Sequence, residues 1–154
     1  MKIDTHKHRK GQALVEAAFV LFIVVLFTFA ITEFGRAMYI KNMLNNAARA
    51  GARQAVVTGS LPVSQPLFTF SNTRPADPVL AKIYDGLMYV KKDTVTASVS
   101  CVGCAGSYAA AGDTISVIVT APFDPVIRLF NDPVNHPKLV ITDKLVGQAS
   151  MRYE

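Results

Sequence analysis

The pattern of apolar and polar positions divides the chain into stretches of different character. From Ala17 to Thr32 every residue is uncharged and nearly every one is apolar, with a single carboxylate, Glu16, at the entrance. Counted from Gln12 to Thr32, the stretch makes a helix about 31 Å long, close to the hydrocarbon thickness of a bilayer. After Thr32 the pattern becomes amphipathic: Phe34, Met38, Ile40 and Leu44 are followed by the small residues Ala47, Ala48, Ala50, Gly51, Ala52 and Ala55, with Arg36, Lys41, Arg49 and Arg53 between them. Small side chains on one stripe let another layer approach the helix backbone closely. No proline interrupts the chain between Gly11 and Leu61, and Gly59 and Pro62 supply stop signals. The pattern predicts one helix over 12–58, spanning a membrane over 12–32 and packed on a folded domain beyond. A break near Gly35 into two helices is the alternative.

Downstream the periodicity changes. Residues 59–78 carry four prolines among small polar residues and read as a loop anchored by Phe68 and Phe70. Leu80, Ile83, Tyr84, Leu87 and Met88 recur at helical spacing and predict a short amphipathic helix over 79–89. Thr94–Cys101 alternates Val95, Ala97, Val99 and Cys101 with Thr and Ser, a strand pattern. A turn over Gly103–Gly112 leads into a second β-branched run, Thr114–Ala121, and the two read as a hairpin. Pro122, Pro125, Pro133 and Pro137 bracket a connection in which Val126–Phe130 has room for one helical turn. Leu145–Tyr153 alternates again, with one face to bury. The expected fold class is α+β: a long N-terminal transmembrane and amphipathic helix packed on a small three-stranded antiparallel sheet. The expected division is a basic leader at 1–11, the helix at 12–58 and an exported α+β domain at 59–154.

Charge orients this arrangement. The net charge is +5 over 154 residues. Residues 1–11 hold Lys2, Lys7, Arg9 and Lys10 against Asp4, and so carry most of that excess. A basic flank is expected on the cytoplasmic side of a spanning helix, which puts the N-terminus inside and the C-terminal domain outside. The remaining charge is too small and too scattered to argue for nucleic acid. His6 and His8 read as solvated leader residues. Cys101 and Cys104, the only cysteines, lack a second pair or a histidine at ligand spacing, so no metal site is expected. Outside the membrane they would form a disulfide pinning a short loop, with free thiols as the other reading.

The chemistry concentrates at the start of the helix. Gly11 has no Cβ and resists helix formation, which leaves its bond accessible to a protease. A cut there makes Gln12 the new N-terminus and Glu16 the fifth residue of the product. An amine and a carboxylate on an apolar helix are each costly to leave unpaired. Pairing the amine of one subunit with Glu16 of its neighbour would relieve both costs and set an axial register. The plain alternative is a carboxylate that snorkels at a helix end without a partner. Glu33 and Arg36, three apart, read as neighbouring anchors at the membrane edge.

Gly11-Gln12-Ala13-Leu14-Val15-Glu16, Glu33-Phe34-Gly35-Arg36-Ala37 and the run Asn42–Arg53 together resemble the TadE-like proteins of tight-adherence (Flp/Tad) pilus systems, within the type IV prepilin pattern. The resemblance covers Lys10–Ala55. It implies a pilin-like minor pilin or pseudopilin of pilus assembly, cut after Gly11 by a membrane prepilin peptidase, with other pilins, assembly-platform proteins and membrane lipid as partners. It implies residence in a bacterial inner membrane, and in extracellular pili after processing. One departure from the family is Gln12, where many prepilins have Phe or Met, which leaves N-methylation open.

Three rivals compete. An ordinary signal peptide would have a shorter apolar core and a better cleavage site than Thr28-Phe29-Ala30. A tethered enzyme would need catalytic motifs; none appears, Asp113 and Asp124 read as turn residues, and His136 lacks a recognisable partner, so no enzymatic activity and no cofactor are expected. A tethered adaptor of the assembly machinery, neither cleaved nor polymerised, differs from the pilin reading in needing neither cleavage at Gly11 nor Glu16.

Overall fold

A computed structural model of the chain describes residues 6–58, 64–88, 90–102, 112–123 and 144–152. The chain divides into two compact units, 1–36 and 37–154. Helix α1, His6–Thr58, is continuous and belongs to both. It ends where the sequence predicts but begins earlier, taking in residues 6–10 of the stretch expected to be a basic leader ahead of the helix. His6–Lys10 contains no proline or glycine, so nothing there stops a helix propagating backwards.

In the first unit the apolar surface of α1 is exposed. Leu14, Phe19, Phe22, Phe27 and Ile31 are all exposed, and none of the most apolar window of the helix is buried. Thr28 and Thr32 point their hydroxyls back at the carbonyls of Val24 and Thr28, each at 2.8 Å, so neither presents an unpaired donor to an apolar medium.

The second unit is a four-stranded antiparallel sheet in the order β1-β2-β3-β4, with β1 Ser64–Thr69, β2 Thr96–Val102, β3 Thr114–Pro122 and β4 Lys144–Arg152. The expected count of three strands is corrected to four. The missed strand, β1, falls in the proline-rich stretch read as a loop. It is an edge strand, and its pairing with β2 shifts register between Gln65 and Phe68, so Pro66 sits inside a bulge. An edge and a bulge are where a strand tolerates a residue without an N–H. The β2–β3 pairing and the alternation of β4 follow the expected pattern: Ala97, Val99, Ile115, Val117, Val119 and Gly147 are buried, while Val146, Gln148, Ser150 and Arg152 face outward. Gly112, just before β3, has φ of +99°, a conformation that favours glycine. The expected turn over 103–111 and helical turn at Val126–Phe130 lie outside the described residues.

Helix α2, Pro78–Gly86, is shorter than the 79–89 expected. Asp77 caps it, its Oδ1 accepting from the backbone N–H groups of Val79 (2.8 Å) and Leu80 (3.2 Å), with Pro78 suited to the first turn. At the other end Gly86 and the turn at Leu87 stop it. Leu87 is fully buried and Met88 exposed, so the apolar spacing continues past the helix without the helical backbone.

Packing in this unit is set by the small residues of α1. Leu44, Ala47, Ala48, Ala52 and Ala55 are buried in one core with Ile83 and Leu87 on one side and Val117 and Val119 of the sheet on the other. A Cβ on Gly51 would lie 2.5 Å from Ile83 Cγ1, and one on Gly86 would lie 3.0 Å from Ala47 Cβ. A Cβ on Gly147 would lie 2.6 Å from both the Asn45 nitrogen and the Leu44 oxygen. The α1 backbone therefore rests on β4 itself, and the Gln148 N–H donates to Asn45 Oδ1 at 3.3 Å. This contact covers an edge strand that would otherwise offer its unpaired groups to another chain.

Around α2, Phe70 is buried against Phe68 (edge-to-face, 5.3 Å) and near Tyr84, whose hydroxyl donates to the Asn72 carbonyl at 2.8 Å. The Lys92 ammonium lies 3.5 Å over the Tyr84 ring. Arg74 forks onto Asp85 with bonds of 3.0 and 2.8 Å. Those bonds hold the Asp85 carboxyl below its ordinary value and raise Arg74 above its own.

Two expectations follow. Gly147→Val drives a side chain into the α1 backbone, and overpacking of this kind costs about 3 kcal/mol. Thermal unfolding of the detergent-solubilised chain should fall by many degrees, whereas Gly35→Ala, whose Cβ meets nothing within 4 Å, should leave it unchanged or slightly raised. For Asp85 the folded value is the depressed one, so its contribution is present above about pH 4 and is lost as pH falls through the lowered value. Asp85→Asn should lower the melting temperature slightly at pH 7, and the difference from the unaltered chain should shrink as the pH falls below about 4.

Candidate processing and pairing site

Gly11, Gln12 and Glu16 all lie on α1 in the first unit, and all are exposed. A Cβ on Gly11 would meet nothing within 4 Å, so no packing contact requires glycine there. Its bond to Gln12 is inside the helix, not ahead of it, and a protease would have to unwind it locally. Glycine in a helix interior lowers that cost by about 1 kcal/mol relative to alanine.

Glu16 follows Gln12 by one turn, on the same side of the helix. It borders a shallow depression of about 490 Å³ lined by Ala13, Glu16, Ala17, Val20, Leu21 and Val24. Ala13 and Ala17, four apart, are the small residues among them, a spacing that lets a second helix approach closely. The α1 sequence holds this signal openly, but its small residues draw attention mainly in the later run from Ala47 to Ala55. Among the described residues Glu16 has no hydrogen bond or ion pair. Glu33 differs: Arg36 Nη1 stands 3.5 Å from its Oε1, one turn along and at the end of the same apolar stretch. What this arrangement offers is recognition between helices: an exposed apolar surface with one unsatisfied carboxylate and a notch beside it.

The remaining candidates belong to the second unit. Cys101, near the end of β2, is disulfide-bonded; Cys104, the only other cysteine of the chain, lies outside the described residues. Among the described residues no group of three His, Cys, Asp or Glu side chains is placed to hold a metal ion. Asp113 precedes β3, while Asp124 and His136 are outside the described residues.

Comparison with known proteins bears on the first of these sites. The model of the TadE-like protein family matches residues 11–53. That range begins at Gly11, takes in Glu16 and the Glu33–Arg36 pair, and ends at Arg53 within the part of α1 packed on the sheet. No curated protein and no solved structure matches the chain.

Proposed function

We propose, from a TadE-like stretch that begins at Gly11, that this chain is a minor pilin or pseudopilin of a tight-adherence (Flp/Tad) pilus system. The observation that carries the reading is Glu16: a carboxylate without a partner among the described residues, one turn beyond Gln12, on a helix surface apolar enough to cross a membrane. A carboxylate on such a surface is expensive unless something pairs with it, and residues of this kind mark functional sites.

In the proposed sequence of events the chain is inserted with its basic N-terminus inside and its second unit outside the inner membrane. A prepilin peptidase hydrolyses the Gly11–Gln12 amide: water is consumed, Gly11 leaves with a carboxylate, and Gln12 gains a free amine. This chain's residues supply the substrate only, with no catalysis and no cofactor of their own. The shortened α1 then leaves lipid for a bundle of neighbouring pilin helices. There the Gln12 amine of one subunit meets Glu16 of the next, and the notch at Ala13 and Ala17 admits the neighbour's helix. The pairing satisfies both charges and sets the stagger between subunits. Other pilins and the assembly platform are the partners, and the second unit remains outside the helix bundle. A disulfide from Cys101 to Cys104 would tie the start of the β2–β3 connection.

One observation favours a second reading. Because α1 runs unbroken through Gly11 from His6, the bond to be cut is helical. A tethered adaptor of the assembly machinery would keep the helix whole.

Two measurements separate these. The intact mass of the chain from cells carrying the matching peptidase should lack residues 1–11; a full-length product would overturn the prepilin reading and leave the adaptor. Glu16→Ala should be cut normally yet enter pili at least tenfold less than the unaltered chain. Equal incorporation would rule out a paired Glu16.

A further inference from the structure

The uncharged run of α1, Ala17–Thr32, is 16 residues or about 24 Å long, some 6 Å short of a typical hydrocarbon layer. A bilayer must therefore take in either Glu16 at one end or the Glu33–Arg36 turn at the other. The two ends are not equivalent. Glu16 is a lone carboxylate, and beyond it only Leu14 and Val15 are large and apolar before Gln12, Gly11 and the basic residues. Glu33 is already joined to Arg36 at 3.5 Å. Beyond that pair the exposed surface of α1 stays apolar, with Phe34 69%, Met38 43% and Tyr39 52% exposed. Tyr is suited to the boundary between lipid and water, and Arg36 and Lys41 have stems long enough to reach lipid phosphates from there. Just after Tyr39 the large apolar residues of α1 turn inward: Ile40 and Met43 pack against the core and Leu44 is buried in it.

We infer that α1 sits about one turn further along in the membrane than its hydropathy suggests, with the hydrocarbon layer spanning residues 17–36 and not 12–32. Phe34 and the Glu33–Arg36 pair lie in the last turn of that layer, Met38 and Tyr39 occupy the headgroup layer on the C-terminal side, and Glu16 lies in the headgroup layer on the other. The partner of this collar is a lipid surface, contacted by apolar rings below and by Arg36 and Lys41 at the phosphates. This rests on the reading of α1 as a membrane anchor. Its consequence is that Glu16 is hydrated while the chain resides in lipid. The carboxylate needs an amine only when the helix moves into a dry bundle of other helices.

The chain contains no tryptophan, so single-tryptophan variants report depth without background. The full chain carrying Phe22→Trp, Phe27→Trp or Tyr39→Trp is reconstituted into phosphatidylcholine vesicles brominated at defined acyl positions. The inferred span is centred near Phe27, the hydropathy span on Phe22, and five residues separate them by about 7 Å. Phe27→Trp should be quenched most by the deepest bromines, Phe22→Trp should lie about 7 Å shallower, and Tyr39→Trp should be blue-shifted and quenched by shallow bromines. A deeper Phe22→Trp, or a Tyr39→Trp with the emission of tryptophan in water, would overturn the inferred position while leaving the anchor in place. Absence of quenching at all three positions would overturn the anchor itself and this placement with it.

Discussion

The fold depends on how closely the α1 backbone approaches its neighbours. At Leu44 and Asn45 it lies against β4 with no room for even a methyl group on Gly147, and at Ala47 and Gly51 it meets Gly86 and Ile83 of α2. A helix wedged between a sheet and a second helix can come that near only if its facing residues are small. The run from Ala47 to Ala55 supplies that face, and Leu44 adds the bulk that fills the space at its edge. The same approach protects the sheet, because Asn45 occupies the outward N–H of Gln148 on an edge strand. Large buried side chains such as Phe70, Ile83 and Leu87 fill the core of the second unit, but at the points where backbones meet added volume is poorly tolerated.

The first unit follows the opposite rule. Its apolar helix surface is exposed, and several of its polar groups are satisfied within the helix. Thr28 and Thr32 bond to carbonyls one turn back, and Glu33 pairs with Arg36. Among the described residues Glu16 is a charged group with no such arrangement. A helix otherwise adapted to an apolar solvent, with one unsatisfied group beside a notch of small residues, is suited to exchanging lipid for another helix. The proposed function and the inferred position in the bilayer are two aspects of that property. Where the carboxylate resides before assembly determines when its pairing becomes necessary.

Much of this is legible along the chain because it depends on one-dimensional patterns. The unbroken apolar run, the stop at Gly59 and Pro62, the alternation in β2, β3 and β4, and the Gly11–Glu16 spacing all need only the period of a helix or a strand to be read. β1 was hidden for a physical reason. Pro66 and its neighbours have loop chemistry, and only the adjacent β2, with a bulge to absorb the missing N–H, makes a strand of them. The helical start at His6 was hidden as well, since a basic, polar stretch carries no apolar period.

The sequence alone determined that a long apolar helix comes first, that a small α+β unit follows, and that a lone carboxylate stands one turn past Gly11. These are consequences of composition and spacing, which act locally. Tertiary structure alone decided which glycines are essential and which are free. Gly147 and Gly35 look alike in the sequence, yet one would drive a Cβ into the α1 backbone and the other would meet nothing within 4 Å. It also decided that Glu33 is paired while Glu16 has no partner among the described residues, and that the exposed apolar surface continues to Tyr39. Such facts depend on what lies across from a residue, and no period along the chain encodes that.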